Sequence, residues 1–214
     1  MFRRKLLTES LERLGCSEVG PLAYSIPSSH PEMKWELHLR LLGVYRWQLD
    51  GALRWNHRKA SAFAQRCLAE FGGRSWSELA KKGLEQKDDA TPLARLAGWD
   101  IAFGYSIKDL PAEEAAENIA TVVRDTVLPF VASIGDDRSL LHLLTRNGPP
   151  VEWLYSQPLF RFAEAAFLVE KLGASGTELG AQLEVERNFM RHQLVGVELE
   201  TYVLEVRAAA AAAV

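Results

Sequence analysis

A chain of 214 residues with 48% hydrophobic and 25% charged residues has the balance of an ordinary folded protein and not of a disordered segment. Its formal charge of −3 gives no overall attraction to nucleic acid or anionic lipid. The two cysteines, Cys16 and Cys67, lie far apart and match no metal-ligand or redox spacing, so they read as buried thiols.

The N-terminal stretch begins with a basic cluster, but Thr8, Glu9, Ser10, Glu12 and Arg13 interrupt any apolar signal region, and no run approaches a membrane span. A cytoplasmic protein with no membrane partner is expected. Phe2, Leu6, Leu7, Leu11 and Leu14 follow helical spacing, and Gly15 is placed to stop that helix. "GPLAYSIPSS" then reads as one short strand bounded by Pro21 and Pro27.

From Lys34 the pattern changes to strict alternation. Trp35, Leu37, Leu39, Leu41, Gly43, Tyr45, Trp47, Leu49, Gly51, Leu53 and Trp55 occupy odd positions, while Lys34, Glu36, His38, Arg40, Arg46, Gln48, Asp50, Arg54 and Asn56 occupy even ones. Period-two alternation marks an antiparallel hairpin with one dry and one wet face. A turn at Leu42-Gly43-Val44 keeps all odd positions on the dry face, which leaves Asp50-Gly51 as a bulge or kink.

At Arg58 the period becomes helical, with Ala60, Phe63, Ala64, Cys67, Leu68 and Phe71 on one face before a Gly-Gly stop. "SWSELAKK" opens with a capping-box pattern, Ser75 with Glu78. "LARLAGWDIAFGYSI" alternates at Trp99, Ile101, Phe103 and Tyr105 and reads as a fourth strand. Helices follow: one that must kink or restart at Pro129, one over "DDRSLLHLLTR", one over "LFRFAEAAFLVEKLG" ending at Gly173, and a long last one from Thr177 with an Ala-rich end. The fold expected is α+β: a small antiparallel sheet with an N-terminal helix and a helical C-terminal half packed on one face. Residues 1–174 form the domain in this reading, and 175–214 a long helix lying on it.

No pattern specifies a reaction. Glu113-Glu114 and Asp136-Asp137 each sit at a helix start, where negative charge suits the dipole. "GASGTELG" lacks the strand and the Lys of a phosphate-binding loop. The histidines show no metal-ligand spacing, so neither metal nor cofactor is expected. On the hairpin the aromatics fall on the core side, opposite to what base stacking needs, and nucleic acid is not an expected partner. The rival enzyme reading places its site in a cleft between sheet and C-terminal helices, with His57 and Asp100 as its polar groups. A third reading, a homo-oligomeric scaffold joined through the last helix, is opposed by apolar spacing too wide for a heptad; the oligomeric state is left open.

Taken in order, "LDGALRWNHRKASAFAQRCLAEFGG", "VLPFVASIGD", "LLHLL", "PPVEWLY" and "FRFAEAAFLVEKLG" resemble a family of small bacterial α+β proteins of toxin-associated immunity gene sets. That resemblance spans residues 2 to 173 and rests on spacing and residue class. It implies a stoichiometric inhibitor that binds a cognate toxin, and an acidic surface would steer it to a basic enzyme. The contact surface expected combines Glu36, Asp50, Arg54 and His57 on the hairpin with Trp153 and Tyr155 in the Pro-bounded loop ahead of Arg161.

Overall fold

The computed structural model describes residues 4–42, 48–72, 89–97, 105–107, 110–145, 158–174 and 199–214. They form two compact units, one from residues within 1–55 and 90–135, the other from residues within 56–89, 136–152 and 156–214. The architecture is α+β, as the alternating and helical periods require.

The first unit begins with α1 (Arg4–Glu12), which buries Leu7 and Leu11 and ends ahead of Gly15, whose φ of 82° suits a residue without Cβ. Two strands follow where one was expected: β1 (Ser17–Gly20) and β2 (Ala23–Ile26), paired antiparallel across Pro21-Leu22. Leu22 takes a φ of 57°, a left-handed conformation usually left to Gly or Asn. Its carbonyl accepts the Leu39 amide at 2.8 Å, which ties the strained residue to the next strand. The pair escapes sequence reading because Pro-Leu is not hairpin chemistry and "SEVG" does not alternate.

Strands β3 (Met33–Leu42) and β4 (Gln48–His57) carry the alternation. Trp35, Leu37, Leu39, Leu49, Leu53 and Trp55 are all buried. Trp35 packs on Trp55 with ring centroids 5.2 Å apart, and Arg40 hydrogen-bonds Asp50, contacts that share one antiparallel register. β3 continues through Leu42, so the turn expected to begin there is corrected; residues 43–47 lie outside the described residues. Gly51 is neither bulge nor kink but part of a continuous strand. A Cβ on it would stand 2.7 Å from the His38 carbonyl oxygen and 2.7 Å from Leu39 Cδ2, so the two strands meet closely at a residue with no side chain.

The sheet has six strands in the order β1-β2-β3-β4-β5, with β5 (Asp89–Pro92) beside β4 and β6 (Tyr105–Ser106) pairing β4 at Leu49 and Gln48. The fourth strand predicted from Leu93 is corrected in part, because Leu93–Ala97 is helix α3. Alternation begins only at Trp99, and "LARLA" consists of good helix formers. Residues 98–104, which include Asp100, lie outside the described residues, as does the expected capping box at Ser75 and Glu78.

A long helix closes this unit: α4 (Ala112–Val122), a π-helical segment (Val123–Val127) and α5 (Leu128–Ser133). Proline has no amide to donate and crowds the carbonyl four residues back. The helix passes Pro129 by widening: Leu128 N–H reaches the Val123 carbonyl, five residues earlier. α1 packs on α4, where Arg13 pairs with Glu117 at 3.8 Å, and Phe130 meets Trp35 edge-on at 6.0 Å, over the dry side of the sheet.

The described residues of the second unit are helical apart from the end of β4 and the first residue of β5. It holds α2 (Arg58–Phe71), α6 (Asp137–Thr145), α7 (Pro158–Lys171) and α8 (Leu199–Ala213). α7 is its axis and packs against the other three, so Leu159 to Val169 are buried on every side. Phe63 meets Phe167 with centroids 5.3 Å apart, and Tyr202 of α8 donates its hydroxyl to the Leu159 carbonyl at 2.9 Å. The Ala-rich end is helical to Ala213. Among the described residues no helix is long and apolar enough to cross a membrane.

Candidate functional site

Two groups of polar side chains stand out. The first surrounds His57, the last residue of β4 and the N-cap of α2, with φ −93° and ψ 112°. Strand geometry at the cap turns the imidazole over the first helical turn, where Nδ1 accepts the Ala60 amide at 3.0 Å. That acceptor role puts the ring proton on Nε2, which donates to Asp137 Oδ1 at 2.9 Å. Lys171 at the end of α7 holds the other carboxylate oxygen, Nζ to Oδ2 at 2.6 Å. The His57 amide donates to Ser61 Oγ at 2.9 Å, and the Ser61 hydroxyl in turn donates to Glu164 Oε1 at 2.5 Å.

His57, Ser61 and Glu164 are buried, at 0%, 1% and 1% exposed, while Asp137 and Lys171 are half-buried at the edge of the group. Burial alone would raise the Asp137 carboxyl, but the hydrogen bonds from Lys171 and His57 outweigh it and hold the group below the ordinary carboxylate range. The pattern has the outline of an Asp–His dyad. Its chemistry is that of a joint, because a general base needs a ring nitrogen free to face a substrate and both nitrogens of His57 are committed within the protein.

His57 is therefore withdrawn from the contact surface expected of it. It continues the odd-numbered dry face of the hairpin, and that parity was the signal available to place it inside. Arg161, expected beside exposed aromatics, is likewise buried on α7. Asp136 and Asp137, read together as a helix-start pair, divide the work: Asp136 Oδ1 accepts the Ser139 amide at 2.8 Å, while Asp137 turns to His57 and Lys171. Ser61, Glu164 and Lys171 were not anticipated, since Ser61 and Glu164 stand 103 positions apart and Lys171 reaches Asp137 from another helix, so no local spacing announces them.

The second group lies on the wet face of β3 and β4. Glu36 is half-buried and bridged by Lys34 at 2.6 Å and His38 at 2.8 Å. The Lys34 hydrogen bond, opposed by partial burial and aided by His38, lowers its carboxyl below the usual range. Arg40 donates two hydrogen bonds to Asp50 Oδ2, at 3.0 and 2.6 Å. Arg54 is exposed and takes no carboxylate among the described residues. On the neighbouring strand Ala23 and Ser25 stand opposite His38 and Glu36, so the face is continued by small side chains. Among the described residues Lys34, Arg40 and Arg54 stand on this face with the carboxylates of Glu36 and Asp50. Trp153 and Tyr155 lie outside the described residues.

A surface depression of about 400 Å³ between α1 and β1 is lined by Arg4, Lys5, Thr8, Glu9, Glu12 and Glu18. Arg4 pairs with Glu18 and Lys5 with Glu9 at 3.7 Å, exposed ion pairs of the kind that solvated surface carries. No protein-family model, curated protein or solved structure matches the chain.

Proposed function

We propose that the protein is a non-catalytic binding module, an immunity-type inhibitor that neutralises a cytosol-acting bacterial toxin by binding it. The observation that carries this reading is the contrast between the two polar groups. The one with the outline of a catalytic dyad is closed on itself, with every donor of His57 spent on protein. The charged group is open, borne on paired strands, and held in place by Arg40–Asp50 and Lys34–Glu36–His38 contacts before any partner arrives. A face ordered in advance loses little side-chain freedom on docking, which suits stoichiometric binding.

The test uses the tagged full chain as bait in extract of the native host at low salt. The expected result is one enzyme recovered at a one-to-one ratio, whose activity falls in proportion to added protein. Recovery of nothing but the bait, or of a partner whose activity is untouched at saturation, overturns the proposal.

A further inference from the structure

We infer that the wet face of β3 and β4 docks an acidic protein surface, with Arg54 as the residue that selects it. This rests on the binding-module reading and adds the chemistry of the partner. Both described carboxylates on the face already have partners within it: Glu36 holds Lys34 and His38, and Asp50 holds Arg40. A basic partner would have to break those contacts to find an anion. An acidic one finds Arg54, exposed and with no carboxylate partner among the described residues.

The register places Arg54 across from Glu36, since Trp35 packs on Trp55. Glu36 nevertheless keeps to Lys34 and His38 along its own strand, which leaves the guanidinium for an incoming group. Guanidinium is suited to this task because its planar fork takes a carboxylate through two parallel hydrogen bonds. Phosphate has the same appeal, but a nucleic acid surface offers a dense array of anions and rewards several cations at once. Here Lys34 and Arg40 each hold a carboxylate, and the tryptophans that would stack bases are buried behind the sheet.

The test titrates the isotope-labelled full chain with three probes of matched length: an Asp/Glu-rich peptide, a Lys-rich peptide and a single-stranded DNA. The acidic peptide is expected to bind at low salt and shift the backbone resonances of Arg54 and Arg40. R54E should weaken it about tenfold, since reversal replaces an exposed attraction with a repulsion. R54K should retain most of the binding, and Lys5→Glu, on the distant α1 surface, all of it. An acidic peptide that binds R54E as well as wild type, or a Lys-rich peptide that binds more tightly, overturns the inference. So does tighter Arg54-dependent binding of the DNA, which would make the face a nucleic-acid site. The two proposals fail separately: a one-to-one host partner captured equally by wild type and R54E refutes the acidic docking face but not the inhibitor. Arg54-dependent peptide binding with no host partner does the reverse.

Discussion

Gly51→Ala isolates a single contact between β3 and β4. The new Cβ would lie 2.7 Å from the His38 carbonyl oxygen and from Leu39 Cδ2, and 3.5 Å from Leu39 Cα. The Leu39 methyl can rotate away, but the carbonyl is backbone and retreats only if β3 moves. Gly51 sits in extended strand, so the substitution also carries the benefit of a less flexible unfolded chain, about 0.4–1 kcal/mol. Forcing an extra carbon into packed structure costs about 1–3 kcal/mol, and the difference is a net loss of roughly 1–2 kcal/mol. For a chain of this length that corresponds to a fall in Tm of about 2–8 °C. Urea denaturation followed by near-UV circular dichroism reads the loss as a lower midpoint with an unchanged slope, because the surface exposed on unfolding is the same. A variant as stable as wild type, or more so, would show that the strands do not meet as described and refute the reasoning.

His57→Ala removes the cap of α2 and leaves the Ala60 amide and one Asp137 oxygen without their partners, for an expected loss of about 2–4 kcal/mol. His57→Asn restores a capping oxygen and should recover about 1 kcal/mol of it in the same denaturation assay; equal losses would mean the cap contributes nothing. The depressed Asp137 carboxyl supplies stability that is complete above the unfolded carboxylate value of about 3.9 and is lost as pH falls through the lower folded value. Lys171→Met removes its strongest partner, so the drop in unfolding free energy between neutral and acid pH should shrink; an unchanged drop would exclude the pair as its source. Burial pushes the Cys16 thiol up to about 11 and the Cys67 thiol up to about 12. Iodoacetamide at mildly alkaline pH should therefore label neither in the folded chain and both in urea, as read by intact mass, and rapid labelling of the native protein would contradict their burial.

What the sequence made legible was whatever repeats along the chain. Alternation from Trp35 to Trp55 placed the dry face correctly even though the turn was misplaced, because a shift by an even number of residues leaves every side chain on its own side. The helices over Arg58–Phe71 and Asp137–Thr145 were readable from their apolar period. What fails is whatever depends on residues that meet only after folding. Ser61 and Glu164 stand on separate helices, and nothing about "KASAF" or "RFAEAAF" says that a serine in one reaches a glutamate in the other. Glu164 and Arg161 also hide among apolar neighbours on α7, a helix buried all round, where a polar residue would ordinarily be assigned to the outside. On the hairpin, residue types were legible but their pairing was not. Glu36 and Asp50 were placed on the contact surface by their parity alone, and the structure gives each of them a cation.

The widened turn before Pro129 also acts on everything that follows it. Val123, Val127 and Val131 are all buried and recur every four residues. In an α-helix each residue advances by 100°, so a four-residue spacing overshoots a full revolution by about 40° at every step, and such a stripe winds round the cylinder. A turn closed five residues apart is under-wound and lags. Placed between Val123 and Val127, it takes back part of that overshoot and keeps the valines in line. The helix thus carries its own phase correction, set at the one point where proline had already released a carbonyl from the α-helical pattern.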